Sequence, residues 1–306
     1  MSKNNKQNKP NNNVLAILGL LFGATAWGVI WYPYRIMADA CVSGVASSFY
    51  TYSIATIIAG MYFAIIKDGL NTKLGSFRLS KTIIILSLVA GWSNLGYVMA
   101  VIHGEVMRVM LLFYLSPLWT LILAHFWLKE PISRAGFFAI VLSLIGAFTM
   151  LWQPHALPLP SSASDWLAVS AGLCFALTNV ITRKSHHISL RTKSFAVWAG
   201  VVITALISVP FLHEQFPAPS FFSATQWLMM TLVALLLIVV TMSVQYGVSK
   251  ILASRAAVIF LFELVVASVA SYYLAHEVMA WNEWLGGGLI IAAALIASFN
   301  HTDEAS

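Results

Sequence analysis

Residues 108–131 read RVMLLFYLSPLWTLILAHFWLKEP, and residues 255–278, shifted by 147, read RAAVIFLFELVVASVASYYLAHEV. Arg108 falls on Arg255, Phe113 on Phe260 and Glu130 on Glu277, with apolar residues between them. Each stretch is long enough to cross a hydrocarbon core of about 30 Å. The chain therefore says nearly the same thing twice. If each copy holds five spans, the odd number turns the second copy upside down in the membrane.

Composition excludes a soluble domain. The chain is 59% hydrophobic and only 9% charged, with mean hydropathy +0.83, and long apolar runs recur throughout. The bilayer is the solvent. A net charge of +6 suggests nucleic acid at first sight, but the basic residues form no patch and sit in short segments between spans. No nucleic-acid partner is expected. Cys41 and Cys174 give neither a disulfide framework nor metal-ligand spacing. No Gly-rich phosphate loop is present, so uphill movement of a solute would draw on an ion gradient or the membrane potential. No cofactor and no metal site are expected.

Ten spans are read at roughly 14–36, 45–66, 82–102, 107–128, 135–152, 166–185, 194–213, 226–248, 255–275 and 283–300. With the N-terminus inside, 15 of the 17 basic residues fall on the inner face, and only Arg35 and Arg108 fall outside. That asymmetry predicts both termini in the cytoplasm. The expected organisation is a disordered tail over 1–13, a five-helix repeat over 14–152, an outer Pro-rich linker over 153–164, a second five-helix repeat over 165–300 and a short cytoplasmic tail over 301–306. The fold class is thus an all-α integral membrane protein, built as two inverted five-helix repeats.

Polar residues inside spans carry the functional information. Glu263, between FLF and LVV, is the sharpest, because a charged acid at a helix centre costs about 2.5–3.5 kcal/mol on insertion scales. It faces a cavity or a partner: either proton coupling or contact with a substrate amine, or else a hydrogen bond that only holds the bundle together. In the third span Asn94 and Tyr97 share a face. Thr178 and Asn179 lie in the sixth span, and Thr241 and Gln245 share a face of the eighth. Interhelical hydrogen bonding is the competing account of these groups. Trp27, Trp31, Tyr32, Trp92, Tyr97, Tyr114 and Trp119 cluster on spans one, three and four, which suits a small amphipathic solute or an organic cation over a ring face. Trp152, Trp166, Trp227, Trp281 and Trp284 read as interfacial anchors. Gly136, Gly146, Gly286, Gly287 and Gly288 read as close-packing positions. Pro33 and Pro117 read as static kinks or as hinges. His186 and His187 form no metal site, His125 reads as an interfacial side chain, and Glu105 with Arg108 is a candidate surface ion pair of little energetic weight.

The first-copy counterpart of Glu263 is Ser116, within Leu115-Ser116-Pro117. A Leu-Glu-Pro tract followed by an apolar run and a terminal Glu resembles the EamA-type repeat of the drug/metabolite transporter superfamily. This chain divides the pattern: one copy keeps Leu115, Pro117 and Glu130, and the other keeps Glu263 and Glu277 with Leu264 in place of proline. The tract Tyr114-Leu115-Ser116-Pro117 is also similar to one in the aromatic amino acid exporter branch, with Ser116 replacing a Trp. The resemblance implies a secondary transporter in a bacterial inner membrane, exporting a small metabolite such as an aromatic or hydrophobic amino acid by alternating access. It implies a central site drawn from Trp27, Tyr32, Trp92, Asn94, Tyr97, Tyr114, Ser116, Asn179, Gln245 and Glu263, with hinges at Pro33 and Pro117 and proton coupling through Glu263. It places spans 1, 3, 4, 6, 8 and 9 around that site. Its partners would be a small-molecule substrate and the lipid bilayer; one copy suffices for transport, with a homodimer as an option. The alternatives are import or exchange of another metabolite or organic cation, a membrane-embedded transferase, which would need an absent His/Asp constellation, and a non-transporting assembly partner.

Overall fold

The computed structural model describes residues 9–65, 80–104, 106–131, 133–152, 160–212, 216–274, 276 and 280–299. Glu105, Pro154, Pro158 and Glu277 lie outside the described residues, and so do residues 1–8 of the N-terminal tail and residues 300–306. Every regular element among the described residues is helical. In chain order they are α1 (Lys9–Asp39), α2 (Gly44–Ile65), α3 (Lys81–His103), α4 (Val106–Phe113), α5 (Ser116–Leu123), α6 (Arg134–Met150), α7 (Ala163–Lys184), α8 (Leu190–Leu212), α9 (Ala224–Lys250), α10 (Ala253–Phe260), α11 (Phe262–Leu274) and α12 (Trp281–Phe299). Taking α4 with α5, and α10 with α11, as one crossing each leaves ten crossings. Eight are long and apolar enough to cross a membrane, while α6 and the Trp281–Ala297 part of α12 are shorter apolar helices. The chain is a multi-pass membrane protein. A bilayer supplies no water to a bare peptide group, and a helix satisfies its own.

Helix starts follow local chemistry. Ser80, Ser133, Ser162 and Ser223 each accept a backbone N–H from three residues on, at the heads of α3, α6, α7 and α9. At Ser162 and Ser223 the third residue, Asp165 or Gln226, returns the bond and closes a capping box. Asp165 is thereby a buried acid with an ordinary structural duty, accepting from the N–H groups of Ser161 and Ser162 at 2.8 and 3.1 Å.

The crossings expected to be continuous at 107–128 and 255–275 are both broken, and at equivalent places. α4 and α10 start and stop 147 residues apart, at Val106–Phe113 and Ala253–Phe260. At the first break, Leu115 donates to Leu112 O and Leu118 to Leu115 O; at the second, Leu261 donates to Val258 O and Leu264 to Leu261 O. These are i→i−3 bonds, the tightened geometry of a 3₁₀ turn. Pro117 has no N–H to offer Phe113 O, but Leu264 has one and spends it on Leu261 instead. Proline is therefore not what breaks the helix, since the copy without it breaks too. The repeat extends further: Lys129 and His276, also 147 apart, are left-handed at φ 55° and 56°.

Lipid tails are as apolar as leucine, so helices associate here through close packing rather than hydrophobic burial. The most extensive contacts pair α6 with α12, α3 with α7 and with α8, and α1 with α9. Gly146 and Gly286 face each other between α6 and α12, where a Cβ on Gly286 would lie 2.4 Å from Gly146 O. Gly136, Gly287 and Gly288 are not close-packed: a Cβ on Gly136 would meet only the Ser133 hydroxyl, one on Gly287 would make ordinary contact, and one on Gly288 would meet nothing. Trp152, Trp166, Trp281 and Trp284 are exposed near helix ends, in keeping with anchors, whereas Trp227 packs edge-on against Tyr50 and Phe222.

Gly172 of α7 lies against the α4–α5 break, where an added Cβ would stand 2.5 Å from Phe113 O. Backbone cannot yield as a side-chain tip can. Gly172→Ala is expected to lose about 1–3 kcal/mol, the usual cost of overpacking. Thermal unfolding of the purified protein in detergent checks this, and an unchanged transition would mean the break is free to shift.

Candidate functional site

The two breaks turn their flanking side chains toward a shared centre. Phe113 comes from the end of α4, Tyr114 from the break that follows it, Phe260 from the end of α10, Tyr97 from α3, Phe175 from α7 and Trp27 from α1. The rings form a continuous cluster. Tyr97 lies 4.8 Å from Phe113, Phe113 5.7 Å from Phe175, and Phe175 5.5 Å from Phe260. Trp27 closes the group at 6.1 Å from Phe175 and 5.6 Å from Phe260. These centroid separations lie in the range where edge and offset contacts are favourable.

Tyr114 joins this apolar group to the acid. Its phenol and the Glu263 carboxyl share a hydrogen bond. The segment around Glu263 is held closely, because a Cβ on Gly28 of α1 would lie 2.9 Å from Glu263 O.

Three amides lie on the neighbouring helices. Asn94 Oδ1 on α3, Asn179 Nδ2 on α7 and Gln245 Oε1 on α9 are buried without a hydrogen-bond partner. A buried polar atom left unpaired costs about 1–3 kcal/mol. Ser47, Ser48, Trp119, Thr182, Ser194 and Trp198 carry such atoms too. What distinguishes the three amides is their place on α3 and α7, which supply rings, and on α9, which packs with Trp27 and Phe175. The interhelical-bond account of these amides does not describe the three atoms named.

The other expected site residues are not part of this ring cluster. Trp92 lies on the exposed stripe of α3 with Ile84, Ile85 and Leu88, and donates to the Ser170 hydroxyl at 3.1 Å. Tyr32 is half-buried and stacks edge-on against its neighbour Trp31. Pro33 faces a small cleft shared with Met37, Ser47, Thr51 and Met230, between α1, α2 and α9. Ser116 is buried beside the first break, with its carbonyl accepting from the Thr120 hydroxyl. Pro117 is buried near the start of α5. His125 is exposed.

Sequence reasoning missed Phe175 and made no site residues of Phe113 and Phe260. The signal for the latter pair was present, since they are the one identical aromatic match between the two repeats quoted above. Phe175 could have been found from Asn179, one helical turn away on the same face. No group of three or more His, Cys, Asp or Glu that could hold a metal occurs among the described residues.

Residues 14–152 and 162–299 each match the sequence profile of the EamA-like transporter family. The chain belongs to that family. This EamA-like transporter is similar to an uncharacterized transporter of Pseudomonas aeruginosa, at 20% identity over 72% of this chain and 63% of that one. It is also similar to S-adenosylmethionine uptake transporters of Rickettsia bellii and Rickettsia conorii, at 23% and 24% identity over 60% of this chain and 60% of each of theirs. The matched stretch thus spans about three-fifths of the length of these relatives. A solved crystal structure shares the fold, with TM-score 0.73 at 15% identity, over 94% of this chain and 97% of the other. The family and these relatives all carry transporter names.

Tyr114→Phe removes the phenol that serves Glu263 and is expected to destabilise the EamA-like transporter by roughly 1–3 kcal/mol. With Glu263→Gln the two changes should cost less than their sum, because they share one interaction. A double-mutant cycle of thermal unfolding tests this; strict additivity would separate the two side chains.

Proposed function

We propose that the chain exports a small amphipathic metabolite, an aromatic or hydrophobic amino acid, across a bacterial plasma membrane by alternating access. One observation carries the reading: an aromatic cluster with an acid at one edge and three unpaired buried amides near it, drawn from α1, α3, α4, α7, α9, α10 and α11. Rings of Trp27, Tyr97, Phe113, Phe175 and Phe260 would receive an apolar side chain. Glu263, with Tyr114 beside it, would receive the amine, and Asn94, Asn179 and Gln245 would exchange hydrogen bonds with the remaining polar atoms. Ser116, beside the first break, would shape the pocket.

Alternating access requires two arrangements of the same helices around a fixed site. The breaks at Phe113 and Phe260 are suited to it, since i→i−3 turns bend at little cost in lost bonds, and Pro117 keeps one of them from closing. Glu263 is placed to exchange its partner, Tyr114, for substrate or for a proton. The bacterial relatives support the plasma membrane as the location, and one copy contains every residue named.

Uptake of an organic cation is the second reading. Six rings close to one carboxyl also suit a cation held over ring faces, and relatives named as S-adenosylmethionine uptake transporters support it.

Cells expressing the chain, preloaded with labelled Trp, Phe, Tyr or Met, should lose one class of solute faster than empty cells. Phe175→Ala and Glu263→Gln should each slow that loss at least about tenfold, the effect of roughly 1.4 kcal/mol. Labelled S-adenosylmethionine supplied outside gives the uptake arm. Uptake without efflux would replace the first reading by the second, and neither would remove both.

A further inference from the structure

The end of the bundle that the basic residues assign to the cytoplasm is fastened by three helix ends meeting one another's charges. Glu130 follows a single π-helical turn over Ala124–Leu128, and left-handed Lys129 reverses the chain so that the acid points back to the bundle. One carboxylate oxygen of Glu130 accepts from Arg183 Nε at 3.1 Å, and the other accepts from Ala253 N, the first residue of α10, at 3.0 Å. Arg183, in the last turn of α7, uses Nη1 to reach Ser249 O near the end of α9, at 3.0 Å. Lys193 of α8, among the largest fully buried side chains of the chain, donates to Thr182 O at 3.1 Å and to the Ser249 hydroxyl at 2.5 Å.

The chemistry is complementary at every contact. A helix N-terminus carries unpaired N–H groups and partial positive charge, and a C-terminus carries unpaired carbonyls and partial negative charge. Here an anion meets the head of α10 and two cations meet the tails of α7 and α9. The fork of Arg183 joins the anion to one of those tails. All of these elements except α8 also supply the aromatic and amide site.

We propose that Glu130, Arg183 and Lys193 are the cytoplasmic lock of the transport cycle, closed in this arrangement and broken each time the site opens inward. The inference rests on the alternating-access reading. Asn179 and Gln245 stand one turn centrally from Arg183 and Ser249, and the Ser249 hydroxyl donates to Gln245 O at 2.6 Å. A solute drawing on those two amides would therefore pull on the same helix ends that the lock holds. Arg183 and Glu130 are 25% and 11% exposed, so water can reach the pair when α7 and α10 separate. These are positioning residues, with no contact to the aromatic site.

The test needs no knowledge of the substrate. In a background with Cys41→Ala and Cys174→Ser, Asn179→Cys reports on the inner half and Val101→Cys, one turn outward from Tyr97, on the outer half. A membrane-impermeant thiol reagent is applied to inside-out vesicles for the first and right-side-out vesicles for the second. Glu130→Gln and Arg183→Gln should each raise the inner labelling rate at least fivefold and lower the outer rate, with the double variant no faster than the faster single one. Arg183→Lys, which keeps the charge but loses the fork, should fall between and serves if a Gln variant is not recovered intact by size exclusion. Unchanged inner rates would overturn the lock. A rise at both reporters would also overturn it, because general loosening opens both halves together. Failure of every efflux and uptake assay would leave this result standing, so the two proposals fail separately.

Discussion

Inside a bilayer no water is available to a released backbone group, and the rest of this structure depends on how two helices are broken under that constraint. The breaks after Phe113 and Phe260 keep their N–H groups employed by shortening the bond from i−4 to i−3. The first also needs space, which Gly172 provides by bringing α7 against Phe113 O without a side chain between. What results is a bend in each of two crossings, at matching depth in the repeat. Phe113, Tyr114, Phe260 and Glu263 all sit within three residues of a bend.

The second copy makes the causal order plain. Pro117 looks like the origin of the first bend, yet Leu264 occupies the same place in the second and the bend is still there. The two segments even pack against different partners, α4 chiefly against α7 and α10 chiefly against α1, α12 and α5, and the break recurs in both settings. Proline then makes one bend irreversible by removing a donor, whereas the other retains an N–H that could rejoin the regular ladder. The two halves of the site thus differ in stiffness as well as in charge.

Charge is managed by two separate devices. Glu263 is accommodated by one phenol beside a wall of rings, a sparse arrangement that leaves the acid able to change partners. Glu130 is the reverse: both oxygens are engaged, one by an arginine and the other by a helix N-terminus. A buried charge with every bond made resists displacement far more than one with a single partner. The sparse acid sits at the centre and the saturated one at the end, which suits a site that exchanges ligands and a closure that holds.

Much was legible in the residues themselves. Apolar runs and the 147-residue repeat determined a helical membrane protein with ten crossings to seek, because hydrophobic length and self-similarity are local properties. They also singled out Glu263, Tyr97 and Tyr114, since a polar group in an apolar run is visible one residue at a time. Tertiary structure alone decided which aromatics meet. Trp92 and Tyr97 lie in one span, yet the turn angle of the helix sends one to the exposed stripe and the other to Phe113. It alone decided that Gly286 is a contact and Gly288 is not, and that Glu130, Arg183, Lys193 and Ala253 converge from four separated parts of the chain. Those relations are set by the rotation and crossing of packed helices, which no single helix encodes.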